Sequence, residues 1–116
     1  MEDLKKDAED NKAMGILAYL GILVLIPILA AKESPFARFH SNQGLILLIV
    51  AIVLAIAVNI VNAILVHISY TLFFLTGLLS LVVWVGCLIL VIIGIMNAAK
   101  GEMKELPIIG KYKILK

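Results

Sequence analysis

AMGILAYLGILVLIPILAA, residues Ala13 to Ala31, runs without a single charge. Its length is close to the ~20 residues with which an α-helix crosses ~30 Å of hydrocarbon. Whether it crosses decides how many spans the chain has and on which side its ends lie. Two further apolar runs follow, GLILLIVAIVLAIAVNIVNAILV (Gly44 to Val66) and LFFLTGLLSLVVWVGCLILVIIGIMNAA (Leu72 to Ala99). The last exceeds the usual need, so it should tilt or project its final turn into the interface. Backbone satisfaction in lipid demands helices, and none of the three alternates as a barrel strand does. The expected fold is a single all-α integral membrane domain over 1–116, with three transmembrane helices at about 13–31, 44–66 and 72–99. Pro27 should kink the first of them.

Composition agrees with that class. The chain is 63% hydrophobic and 16% charged, with a mean hydropathy of +1.12, where soluble domains are nearer half apolar and a quarter charged. A net charge of +2, with lysines gathered toward the chain ends, is no nucleic-acid footprint. The single cysteine, Cys87, excludes an intramolecular disulfide and a Cys-rich metal site. MEDLKKDAEDNK at the start is acidic and carries no signal-peptide pattern, so the first apolar run is expected to stay in the mature protein.

Lysine and arginine set the expected orientation. With three crossings, the first loop (Lys32, Arg38) and the tail (Lys100, Lys104, Lys111, Lys113, Lys116) share a side that outweighs Lys5, Lys6 and Lys12, and the loop HISYT has neither residue. The heavier side should be cytoplasmic. This makes a multi-pass protein of the cell membrane with its N-terminus outside and C-terminus inside.

The polar stretch SPFARFHSNQG (34–44) lies between the first two runs. Ser34 can cap free amides and Pro35 at the first helical position loses nothing, so a helix should start here, at headgroup level. Phe36, Arg38 and Phe39 suit interfacial anchoring, the arginine by snorkelling. An antiparallel hairpin of the second and third helices, turning about HISYT, would bring His40 and Gln43 near Asn97 as a cytoplasmic clasp. Farther along it would pair Gly44 with Gly94, Ala51 with Cys87, Val58 or Asn59 with Ser80, and Asn62 with Thr76. With Ala55 and without Val58, these residues form a small or polar stripe on each helix, which suits close packing in lipid. The basic tail 100–116, broken by Gly101 and Pro107, suits an anionic membrane surface, each lysine near it contributing on the order of 1 kcal/mol.

Catalytic and metal patterns do not emerge. His40 and His67 stand at opposite ends of the second helix, roughly 40 Å apart at ~1.5 Å per residue. No Asp or Glu lies within an expected span, and no nucleophile-and-base pair, phosphate loop or zinc spacing occurs. The expectation is a protein that is not an enzyme, has no cofactor, and has the lipid bilayer and itself or another membrane protein as partners.

The order of features, with Arg38, Phe39, His40 and Gln43 reading as R-F-H-x-x-Q at a helix start and LPIIG in the tail, resembles a family. Its members are small prokaryotic membrane proteins related to the Tic component of the chloroplast inner-envelope protein translocon. The resemblance implies a helical scaffold or subunit of a membrane assembly, linked to protein translocation or membrane-protein assembly. The alternative is an oligomeric pore or transporter for a solute or polypeptide.

Overall fold

The computed structural model describes residues 2–112 and 114–115; Lys113 and Lys116, counted above with the basic tail, lie outside them. Among the described residues five α-helices run in order: α1 (Glu2–Asp10), α2 (Lys12–Leu17), α3 (Leu25–Ala30), α4 (Pro35–Ile68) and α5 (Phe73–Ala99). Short 3-10 turns at Gly21–Val24 and Tyr70–Leu72 precede α3 and α5. Among the described residues there is no strand.

Two helical segments, Pro35–Ile68 and Tyr70–Ala99, are long and apolar enough to cross a membrane. Nearly all of their apolar surface is bare: from Leu48 to the end of α4 no residue is buried, and on α5 only Thr76, Gly94 and Ala98 are. Such helices are not the core of a water-soluble domain, because none of the described residues covers them. Lipid is their solvent, and the chain is a membrane protein with transmembrane helices. The molecule is accordingly a rod, 60 × 22 × 21 Å.

The first expected span, 13–31, is not a continuous helix. Between Ala13 and Ala31 the backbone breaks after α2, turns through Tyr19 and Leu20, and enters Gly21 at φ +65°. That left-handed conformation is open to glycine and costs other residues roughly 1–2 kcal/mol. The interruption is therefore at Gly21. Pro27 is no mid-span kink, because it falls in the first turn of α3, where a missing N–H costs nothing. The segment enters beside α4 and α5 and comes back: Ala31 and Ser34 border the same open cleft as Asp7 and Asn11. Consequently α1, the 32–34 connection and the tail all gather at one end of the rod, where Ala8 approaches Gly101. This differs from the expectation that the two ends of the chain face opposite sides.

The buried residues concentrate at that end. Ala8 of α1, Ala18, Tyr19, Val24, Phe36, Leu47, Ala98 and Leu106 form its core. Two glycines admit the returning segment. A Cβ at Gly44 would collide with the Ala18 backbone carbonyl, and one at Gly94 with the ring of Tyr19. The expected Gly44–Gly94 contact is thus replaced: a third element lies between them, and each glycine is small to accept it.

Candidate functional site

The start of α4 is built as a junction. Ser34 caps the helix by accepting from the Ala37 N–H (3.0 Å), and Pro35 follows at the first helical position. The Ser34 hydroxyl donates to one carboxylate oxygen of Asp7 (2.6 Å), and the Phe36 N–H donates to the other (2.9 Å). Asn11 donates to the same carboxylate (2.9 Å). A negative charge at a helix N-terminus is also favoured by the helix dipole, so Asp7 pins α1 to the root of α4.

One turn further on, α4 carries three polar side chains whose partners are almost all main-chain groups. His40 is fully buried. The Glu102 carbonyl can only accept, so His40 Nε2 donates to it (2.8 Å) and Nδ1 is left to accept from the Tyr19 hydroxyl (2.6 Å). Gln43, also buried, accepts from the Leu106 N–H (2.8 Å) and donates to the Gly110 carbonyl (2.8 Å). Asn42 donates to the Leu115 carbonyl (3.0 Å) and accepts from the N–H groups of Ile114 (3.1 Å) and Leu115. Glu102, Leu106, Gly110, Ile114 and Leu115 are thus each held by their backbone, and Leu106 is driven into the core at 3% exposure.

The clasp differs in its partners from the one expected. Asn97 bonds neither His40 nor Gln43; its amide reaches the Lys104 carbonyl at 3.4 Å. His40 and Gln43 bond the tail beyond it, because the chain turns back after Gly101 (φ +74°) and covers them. Phe36, expected as an interfacial anchor, is fully buried edge-on to His40 with ring centroids 4.6 Å apart. Phe39 packs edge-on to the same imidazole at 5.2 Å, half-buried like Arg38. Asp7, Tyr19, Leu106 and Gly110 were not singled out from sequence. Only LPIIG gave a signal, and only as part of a resemblance.

Along the long helices, Asn62 donates to Ser80 (3.0 Å), one turn from the expected Thr76, whose hydroxyl returns to the Phe73 carbonyl of its own helix (2.6 Å). Ala51, Ala55, Asn59, Ser80 and Cys87, with Trp84, line a groove of about 280 Å³ between α4 and α5. Among the described residues no three His, Cys, Asp or Glu side chains come together as a metal-binding group.

The family model that matches this chain is that of the magnetosome magnetite crystal formation protein family, over residues 10–113. Two curated relatives are both called magnetosome protein MamF. The one from Paramagnetospirillum magneticum is 28% identical over 102 residues, 88% of this chain and 81% of the relative. The one from Magnetospirillum gryphiswaldense is 30% identical over 92 residues, 79% and 72% of the two chains. No solved structure matches. These matches overturn the resemblance to the Tic-related family, and the link to protein translocation and the pore alternative lose their basis with it.

Proposed function

The chain belongs to the magnetosome magnetite crystal formation protein family, and from that premise we propose that it is a structural, non-enzymatic component of the membrane in which magnetite crystals form. The observation that carries this reading is the polar junction at the root of α4. The His40 and Gln43 side chains hold the protein's own backbone at Glu102, Leu106 and Gly110, with the second imidazole nitrogen taken by Tyr19, and so are committed to architecture. The two long helices form a hairpin across the bilayer, and α1, the 32–34 connection and the tail lie on one face. Every lysine and arginine precedes Gly44 or follows Ala99, and HISYT has none. The positive-inside tendency then puts both ends of the chain in the cytoplasm and HISYT on the opposite face. The partner in the membrane is another copy or another membrane protein.

The test is fractionation of a magnetite-forming bacterium expressing the tagged chain. The protein should be retained on a magnetic column with the crystal-bearing membranes, and recovery in the cell envelope alone refutes the assignment. Single cysteines at Asp3, Lys32, Ser69 and Lys111 in a Cys87→Ala background test the topology. An impermeant reagent should give Asp3, Lys32 and Lys111 one pattern and Ser69 the opposite one.

A further inference from the structure

We propose that residues 12–31 form a wedge sunk into one leaflet only, so that the protein prefers bilayers that are convex on the lysine-bearing side. The inference rests on the two-span topology above and adds to it a partner: the acyl chains of a strongly curved leaflet.

The path of the segment gives its depth. Gly15 lies against Phe36, His40 and Ala98, the Ala18 carbonyl against Gly44, and the Tyr19 ring against Gly94. Gly21 then borders a small cavity with Ala51 and Cys87. From there the chain returns, and Leu29 to Ser34 border the cleft that Asp7 and Asn11 also line. The deepest point is thus near the level of Ala51. Counted from Gly44, where the uncharged run of α4 begins, seven residues at ~1.5 Å each make a depth of about 10 Å. The hydrocarbon core is ~30 Å thick, so the segment turns back before the midplane.

Its outward surface is continuous with that of the spans. Ile22 and Leu29 are each 67% exposed, and Leu25 and Ile26 are also exposed. At the same depth the outward faces of α4 and α5 show Ile49 and Ile92. These flanks face acyl chains, and residues 13–31 carry no charge that would keep them from the same medium. Lipid therefore covers the wedge as it covers the spans.

The consequence is asymmetry of cross-section. Near the charged end the protein has four limbs, made by α2, the Gly21–Ala30 stretch, α4 and α5. Beyond Ala51 and Cys87 it has two. At a helix diameter of about 10 Å, each added limb claims on the order of 100 Å² of one leaflet. Apolar segments that fill one leaflet bind best where curvature spreads its headgroups.

The test uses the full chain, labelled at Asp3→Cys in a Cys87→Ala background. It is reconstituted in phosphatidylcholine–phosphatidylglycerol vesicles covering a tenfold range of diameter. Protease accessibility of the ends identifies molecules with their lysines outward. Among these, protein per unit area should rise several-fold from the largest vesicles to the smallest, and Ile22→Ser with Leu29→Ser should flatten the dependence. A fluorophore at Ile22→Cys should be quenched best by lipids spin-labelled high on the acyl chain. Flat density overturns the proposed curvature preference even with this shallow quenching, and leaves the two-span topology standing. Labelling of Asp3→Cys and Lys32→Cys from opposite faces overturns both. A probe at Ile22 shielded from lipid quenchers, with copies cross-linking through it, shows that a second copy covers the face and also overturns the proposal.

Discussion

Replacing Gln43 with leucine isolates the contribution of the junction. Leucine fills a similar volume but supplies neither the acceptor for the Leu106 N–H nor the donor for the Gly110 carbonyl. Both bonds are buried, and a buried main-chain group left without a partner costs ~1–3 kcal/mol. If the tail stays docked, Gln43→Leu therefore destabilises the fold by about 2–6 kcal/mol. If the tail lets go instead, the loss is limited to what its docking contributes, of which burial of Leu106 supplies about 1.5–3 kcal/mol. Unfolding in detergent measures the total, and hydrogen exchange at the Leu106 amide shows which route is taken. The decisive comparison is a chain ending at Gly101, where Gln43 has already lost both partners and the substitution should be near neutral. An equal loss in the full and shortened chains, or none in the full chain, refutes the assignment of Gln43 to the tail.

The glycines separate into two classes. Gly44→Ala and Gly94→Ala each drive a methyl group into the Ala18–Tyr19 turn and should cost at least the ~1–3 kcal/mol typical of overpacking. Gly77→Ala and Gly86→Ala meet nothing within 4 Å and should be neutral or stabilise α5 by up to ~1 kcal/mol through helix propensity. Thermal melts of the four variants in one detergent decide this, and equal behaviour would remove the inserted turn. Asp7→Ala and Ser34→Ala should each cost about 0.5–2 kcal/mol as lost caps. Because the two side chains share a hydrogen bond, the double variant should lose less than the single losses added together. Tyr19→Phe should cost ~1–3 kcal/mol by leaving His40 Nδ1 without its donor, read in the same melts.

Helical class, the two long apolar segments and the helix start at Ser34–Pro35 were legible because each is a local property: hydropathy summed over a window, or a cap and a proline in adjacent positions. The fate of residues 13–31 was not. Hydropathy measures what medium a segment tolerates, and a loop that dips into lipid and returns satisfies the same measure as a helix that crosses it. The distinguishing residue, Gly21, is one of several glycines in apolar runs, and only its positive φ separates it from Gly77 or Gly86. His40 and Gln43 were recognisable as polar groups needing partners. The identity of those partners was hidden, because a backbone N–H or carbonyl leaves no mark in the sequence. An antiparallel register could therefore offer Asn97, a visible side chain, where the structure supplies Glu102, Leu106 and Gly110 through their main chain.

That choice of partners has a consequence for how the family can vary. Between two helices in lipid there is no hydrophobic force to bring them together, and association depends on packing and hydrogen bonds. In this chain the long helices leave a groove beside Ala51 and Cys87, and the root of α4 adds hydrogen bonds to what their packing supplies. A junction that grips backbone fixes the path of the tail while leaving most of its side chains unconstrained. Ile108 stands 88% exposed at φ +70°, and Tyr112 is 58% exposed. Leu106 and Gly110 are different: Leu106 fills the core, and a Cβ at Gly110 would strike the Leu106 backbone and the Gln43 amide oxygen. Within residues 101–112, substitutions at Lys104, Lys111 and Tyr112 should therefore leave the thermal stability in detergent within ~0.5 kcal/mol of the parent, as surface changes do. Leu106→Ala should lose ~2–5 kcal/mol. If the exposed positions proved as sensitive as Leu106, the tail would be held by its side chains, and His40, Asn42 and Gln43 would not be what fixes it.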